Sequence, residues 1–317
     1  MRRAICNLGG RLRLRLRTLL VLFVMANVLF ATSAYRLRTK RVEREAIRVL
    51  QSFGECGSAS VRYDYQLRGD TSPPEPAWMR NILGDDFFAE VSAVKFYAGG
   101  EDCQEWQLKL LQVFPRLKMV DLTGTYYSDA AFAHLRELRQ LESLILVQST
   151  CSDAALGHIS ELTRLTELQL SWTQISDEGL RHLQGLTQLK NLHLQLNNIT
   201  DRGLVHLSAL TNLETLKLYQ TGITDEGVIH LKGLSQLESL NLNDTEVTEA
   251  SLLHLKALMQ LRSLCIRGVI VTDFGLAQIR SMTELRELDL GGVHATDQHW
   301  KELEAMLPNL VIRPGSL

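Results

Sequence analysis

A single 24-residue unit repeats eight times between Leu117 and Pro308, without one inserted or deleted residue. The units begin at Leu117, Leu141, Leu165, Leu189, Leu213, Leu237, Leu261 and Leu285. This period constrains the fold strongly, because chains that repeat every 20 to 29 residues or so stack one structural unit on the next. The sequence therefore predicts an elongated array in which each unit packs against its neighbours.

Each unit combines strand and helix periodicity. When a unit is numbered from its first leucine, positions 1, 4, 6, 11, 16, 19 and 22 are apolar in all eight units. Positions 4 and 6, such as Leu168 and Leu170, alternate around one outward residue as in a β-strand. Positions 16, 19 and 22 recur at helical spacing. Each unit is therefore predicted to be a short strand, a polar turn closed by the apolar residue at position 11, and a helix.

The start of each helix carries a recognisable signal. Position 12 is Ser or Thr in every unit, and position 13 is Asp in seven units and Glu249 in the other. A hydroxyl at the N-cap and an acid in the first turn satisfy free amides and complement the helix dipole. Position 15 is Gly or Ala in six units. We interpret this as a place where the helix lies close to the sheet.

The third unit reads Leu165-x-x-Leu-x-Leu-x-x-Thr173-x-Ile-Ser-Asp177-x-Gly-Leu-x-His-Leu. It resembles the leucine-rich repeat, in the variant found in ribonuclease-inhibitor-like and F-box-associated repeat proteins and in many bacterial membrane-attached repeat proteins. The resemblance implies an α/β fold: a right-handed leucine-rich-repeat solenoid, or horseshoe, with a concave parallel sheet and convex helices. Such proteins mostly bind other macromolecules, so a protein partner is the expectation here.

Position 9, usually Asn in that family, is Thr, Ser or Asn in the first six units. A small polar side chain there is expected to bond the backbone of the adjoining turn. Val269 and Val293 replace it in the last two units, so this bonding is expected to weaken towards the C-terminal end.

The N-terminal region differs in composition from the array. Residues 1–17 are basic, and residues 18–35 form an apolar run that we interpret as a transmembrane signal-anchor, or alternatively as a signal-peptide core cleaved near Ala34. An organelle transit peptide is a further reading. The first 45 residues carry a formal charge of +9, which leaves −11 on the rest of the chain. That acidic remainder argues against a nucleic-acid partner.

Six arginines precede the apolar run and five basic residues follow it. This small excess favours a cytoplasmic N-terminus and an extracytoplasmic array on a single-pass membrane protein. Residues 36–116 are predicted to form a juxtamembrane helix and an N-terminal cap with a degenerate repeat, including a strand over Val61–Gln66. Residues 309–317 are predicted to form a C-terminal capping strand. Cys56 and Cys103 could form a disulfide within the cap or remain free thiols.

The concave face is formed by the outward positions 3, 5, 7 and 8 of each unit. Large or functional side chains concentrate there in units three to five, whereas most other units present small or polar ones. Exposed Trp and Tyr are favoured anchors for protein partners, although they could equally cover turns. The candidate partner-binding residues are Gln169, Trp172, His193, Gln195, Leu196, Lys217, Tyr219 and Gln220.

No catalytic motif is present in the sequence. There is no phosphate-binding glycine loop, no His-Glu-x-x-His and no Gly-x-Ser-x-Gly. Six histidines share position 18, but we interpret this row as a consequence of the repeat and not as a metal site. We therefore expect a binding protein without a cofactor, metal or small-molecule substrate. The alternatives are a substrate-recognition subunit of a ubiquitin-ligase-like assembly and a surface glycan-binding or structural protein.

Overall fold

The computed structural model of the chain describes residues 2–52, 59–73, 75, 77–97, 104–290, 301, 303, 305 and 307–313. Within this part of the chain, eleven strands form one sheet whose spatial order is the order of the sequence. The strands are β1 Ala59–Tyr63, β2 Val91–Phe96, β3 Met119–Asp121, β4 Ser143–Ile145, β5 Glu167–Gln169, β6 Asn191–His193, β7 Thr215–Lys217, β8 Ser239–Asn241, β9 Ser263–Cys265, β10 Glu287–Asp289 and β11 Val311–Arg313.

Strand pairing follows the repeat period. From β3 to β10 every strand pairs in parallel with the next, and each residue faces the one 24 positions later, as Met119 faces Ser143. The predicted C-terminal strand is confirmed, because β11 adds to β10 in parallel. The fold is therefore the predicted solenoid with a parallel sheet.

Helices lie between the strands, and they are shorter than the sequence periodicity suggests. They are α1 Arg2–Gln51, α2 Asp64–Leu67, α3 Ala77–Leu83, α4 Glu105–Leu110, α5 Asp153–Ile159, α6 Asp177–Leu180, α7 Asp201–Leu204, α8 Asp225–Val228, α9 Leu252–Leu255 and α10 Asp273–Ile279. Several continue as 3₁₀ turns, such as Arg181–Leu183 after α6, and the first repeat has only a 3₁₀ helix, Asp129–Glu137. Within the repeats the α-helices span four residues in α6 to α9 and seven in α5 and α10.

The core is continuous along the stack. In the third repeat all seven predicted apolar positions are completely buried: Leu165, Leu168, Leu170, Ile175, Leu180, Leu183 and Leu186. Cys151 occupies position 11 of the second repeat, where burial raises the pKa of its thiol. A repeat removed from its neighbours would expose this apolar surface to water, which opposes folding.

Positions 12 and 13 connect adjacent repeats. Five of the position-12 hydroxyls described accept the N–H two residues later, as predicted for an N-cap. The acid at position 13 has a role that the sequence did not reveal. Asp201 Oδ1 accepts the N–H of Thr224 at 2.8 Å, and Oδ2 accepts its hydroxyl at 2.7 Å. The same pair of bonds joins each repeat from the first to the sixth to the repeat that follows.

The recurrent small residue at position 15 is explained mainly by this bonding acid. A Cβ added to Gly227 would lie 2.2 Å from Oδ1 of Asp201, and the corresponding distance from Gly179 to Asp153 is also 2.2 Å. The bonding acid of one repeat therefore occupies the space beside position 15 of the next. The sequence indicated a close approach at this position but not that the acid of the preceding repeat makes it.

The side chains at position 9 bond the turn as predicted. The hydroxyls of Thr125, Ser149, Thr173, Thr221 and Thr245 each donate to the carbonyl three residues earlier, at 2.6–2.8 Å. Asn197 does more than the others, because it also bonds the preceding repeat. Its Oδ1 accepts from the amides of Thr173 and Ile175, and its Nδ2 donates to the carbonyls of Leu170 and Leu194.

The N-terminal cap adds an element that the 24-residue period does not encode. Strand β1 pairs antiparallel with β2 and forms one edge of the sheet. The prediction of a strand over Val61–Gln66 was wrong at its end, because α2 begins at Asp64 and the Gln66 side chain accepts the N–H of Tyr63. The backbone therefore turns where the alternating pattern suggested that it stays extended.

Helix α1 packs its C-terminal part against the cap. Ala46 and Leu50 are buried in the common core, and Lys40 and Glu43 are 2% and 3% exposed. Lys40 Nζ donates to Glu43 Oε2 and to the carbonyl of Ala89, both at 2.7 Å, and to Glu90 Oε2 at 3.0 Å. The C-terminal part of α1 is thus part of the folded array.

Over the described residues, no helix is at once long enough and apolar enough to cross a membrane. Cys56 and Cys103, for which a disulfide was considered, lie outside the described residues, as does Val293.

Candidate functional site

The residues at positions 3, 5, 7 and 8 form the surface of the sheet opposite the helices, which we call the open face. The eight candidate residues belong to three consecutive strands of this face and to the turns that follow them, and we call them the central patch. Gln169 on β5 pairs with His193 on β6, which pairs with Lys217 on β7. The structure therefore brings the predicted candidates together on one surface.

Exposure differs among the members of the central patch. Trp172 is 59% exposed, so it does not cover a turn, whereas Tyr219 and Leu196 are half-buried. The expectation that position 7 always points outward was wrong, because Ser171 and Asn243 are buried. The patch therefore presents one prominent aromatic ring above partly covered neighbours.

A left-handed backbone at position 8 shapes the rim of the open face. Gln148, Trp172, Leu196, Gln220 and Asp244 all have φ between 51° and 61°, and Gly124 and Gly268 occupy the same position in the first and seventh repeats. The N–H of Trp172 donates to the carbonyl of Gln195 in the next repeat, at 2.9 Å. The hydrogen bonding between neighbouring repeats thus continues beyond the end of each strand, and the backbone turns at position 8.

The electrostatics of the central patch are nearly neutral. Burial, and secondarily the charge of Lys217, lower the pKa of His193 to about 4, so His193 is neutral at pH 7. Glu167 accepts from Ser143 and from Gln169, at 2.7 and 2.6 Å. Elsewhere on the face, Lys95 pairs with Asp121 and Arg267 with Asp289, but Lys217 has no such pair among the described residues. One cation is therefore available to a partner.

Two polar atoms in the same repeats are buried without a hydrogen bond. Ser171 Oγ and Gln195 Oε1 have no partner in the described part of the chain. An unsatisfied buried polar group costs about 1–3 kcal/mol, so each calls for an explanation. Ser171 directly precedes Trp172, and Gln195, itself a member of the central patch, directly precedes Leu196.

A concavity of about 220 Å³ lies at the N-terminal end of the same face, and the sequence reasoning missed it. Its lining includes Arg62 from β1, Lys95 from β2, and Met119 and Asp121 from β3. The antiparallel strand β1 forms one wall, and nothing in the repeat period indicates that strand. The concavity extends the candidate surface beyond the eight repeats.

Metal-binding chemistry finds no support in the described part of the chain, where no group of three or more His, Cys, Asp and Glu side chains could hold an ion. The histidines of position 18 bond individually instead. His134 Nε2 lies 2.9 Å from Glu105 Oε1, and His206 Nδ1 lies 2.7 Å from Gln184 Nε2. These two histidines therefore bond side chains of the preceding unit of the stack.

A family model of known proteins matches part of the repeat array. The family model described as Leucine Rich repeat matches residues 162–183, 186–208 and 209–232, so the chain contains leucine-rich repeats. A search of curated proteins gives no match. Among solved structures, an internalin of Listeria monocytogenes is 24% identical in sequence and has a TM-score of 0.49. The match covers 66% of this chain and 70% of the internalin chain. Internalin C2 of the same organism is 21% identical in sequence and has a TM-score of 0.45. That match covers 74% of this chain and 89% of the internalin C2 chain.

Proposed function

We propose that this leucine-rich-repeat chain is a non-enzymatic interaction module that binds a protein partner on the open face, centred on the central patch. The proposal rests on the exposure of Trp172, a large aromatic side chain that is mostly accessible to solvent at the rim of the open face. Aromatic residues at such positions are enriched among the anchors of protein interfaces. The sheet is also preformed, so binding requires little ordering of this chain.

A matched pair of substitutions tests where the partner binds. Thr215 lies at position 3 of the open face on β7, and Thr211 lies exposed in the return loop of the preceding repeat. We expect Thr215→Arg to reduce capture of partners from a detergent extract by about tenfold or more, because the long cation blocks the sheet. Thr211→Arg introduces the same side chain away from the face and is expected to leave capture unchanged. Equal capture by both variants and the wild type would contradict the proposal.

We also propose that residues 18–35 tether the array to a membrane, with the array outside the cytoplasm; secretion after cleavage near Ala34 is the alternative. The support is a set of exposed apolar side chains on α1, namely Val21, Phe23, Val24, Met25, Val28 and Phe30. A tethered chain resists alkaline carbonate extraction of membranes and is accessible to protease added to intact cells. A chain that appears in the carbonate supernatant with an N-terminus near Tyr35 would establish cleavage instead.

A further inference from the structure

The fold requires a left-handed backbone conformation at position 8, but it does not require the side chains found there. In repeats one to five the residue at position 8 has a positive φ, and its N–H donates to the carbonyl at position 7 of the next repeat. Glycine adopts this conformation without strain, and Gly124 and Gly268 provide it near the two ends of the array. For residues with a Cβ the left-handed conformation costs roughly 1–2 kcal/mol. The central repeats therefore lose stability by carrying side chains.

The strain is least expected at Trp172 and Leu196. Asn and Asp tolerate the left-handed region because their short side chains bond locally, but bulky side chains rarely occupy it. Trp172 is mostly exposed, so burial of its ring does not offset the cost. The same two repeats contain the unpartnered atoms Ser171 Oγ and Gln195 Oε1. Strain and unsatisfied groups that cluster on one surface are typical of functional sites.

We infer that Trp172 and Leu196 are specificity-determining residues of the open face, and that they receive an extended protein segment presenting an apolar side chain beside a carboxylate. This inference rests on the proposed function and names its ligand class. The apolar side chain packs on the ring of Trp172 and the side chain of Leu196. The carboxylate pairs with Lys217, which has no ion pair among the described residues and lies beside the neutral His193.

Glycine substitutions separate this role from a structural one. The full chain is compared with Trp172→Gly, Leu196→Gly and the control Gln148→Gly, which relieves the same strain in the second repeat outside the central patch. If the side chains serve recognition, Trp172→Gly and Gln148→Gly, whose wild-type side chains are exposed, both raise Tm by about 1–4 °C, because strain is removed and little packing is lost. A fall in Tm for Trp172→Gly but not for Gln148→Gly would show that the Trp172 side chain stabilises the fold, and would overturn the inference.

Binding is measured on an immobilised array of random peptides, with a glycan array in parallel. We expect wild-type protein to select peptides that place an apolar residue next to Asp or Glu. Trp172→Gly and Leu196→Gly should weaken this binding by about tenfold or more, whereas Gln148→Gly should change it by less than about twofold. Unchanged peptide binding by the two test variants, or selection of glycans in place of peptides, would overturn the inference.

The outcome for the proposed function is distinguishable. If Thr215→Arg loses its partner while Trp172→Gly keeps both partner and peptide binding, the open face remains the binding surface and the specificity assignment is wrong. If neither variant affects binding, both proposals fail.

Discussion

Lys40→Met is expected to lower the free energy of unfolding of the full chain by about 3–5 kcal/mol at pH 7. Lys40 is buried and donates to Glu43, Glu90 and the carbonyl of Ala89. Methionine fills a similar volume but leaves Glu43 buried without its cation, which is more costly than the loss of the pair itself. Chemical unfolding followed by circular dichroism measures the change.

The matched control is the double variant Lys40→Met/Glu43→Leu, which removes both charges and keeps the site apolar. It should recover most of the lost stability, since replacing a buried ion pair by apolar residues is often neutral or favourable. A double variant as unstable as the single one would show that the uncompensated carboxylate is not the cause.

The pH dependence follows from Glu43. Burial raises the pKa of Glu43, whereas its hydrogen bond to Lys40 lowers it. A carboxyl with a raised pKa in the folded state favours folding at acidic pH, and this contribution is lost as the pH rises through the folded-state pKa. Removal of Lys40 raises that pKa further. The stability difference between wild type and Lys40→Met should therefore narrow as the pH falls.

Asn197→Ala is expected to destabilise the array by about 3 kcal/mol, because it leaves several buried backbone groups without partners. The Asn197 side chain bonds the amides of Thr173 and Ile175 and the carbonyls of Leu170 and Leu194. The substitution therefore removes bonds from two repeats at once. Urea unfolding of the full chain reports the difference.

The other repeats provide the control for this prediction. Thr221, at the corresponding position of the next repeat, bonds only the carbonyl of Leu218. Asn197→Thr should therefore keep the bond within its own repeat and lose those to the preceding one, at a cost of about 1 kcal/mol. If Asn197→Thr were as stable as the wild type, the bonds between repeats would contribute nothing measurable.

The fold was largely predictable because one period determines both pairing and burial. Leu168 and Leu170 alternate, Leu180 and Leu183 follow helical spacing, and a constant 24-residue offset leaves only one register for the sheet. The cap was less predictable because no period governs it. The alternating pattern indicated part of β1, but the turn at Asp64 depends on the local bond from the Tyr63 N–H to the Gln66 side chain, which such a pattern does not reveal.

The chemistry between repeats was missed for a different reason. From the sequence, Asp201 is interpreted as an acid in the first turn that complements the dipole of its own helix. This explanation does not require any contact with the next repeat. Its bonds to Thr224 join residues 23 positions apart, so only the stacked structure shows them.

The strained backbone at position 8 did leave a signal. Gly124, Gly268 and Gly292 share that position in the sequence, which indicates a backbone suited to glycine. Trp172 and Leu196 were selected as candidates for their size and placement, without this argument. The backbone strain is a further physical reason, independent of size and placement, to consider Trp172 and Leu196 candidate binding residues.

The most direct test of the open face as the binding surface is hydroxyl-radical footprinting of the full chain, alone and bound to a captured partner. The account predicts that oxidation of Trp172 falls when the partner binds, while that of Phe274, which is 49% exposed on α10, stays unchanged. Protection of Phe274 with Trp172 still fully reactive would place the partner on the helices and contradict the account.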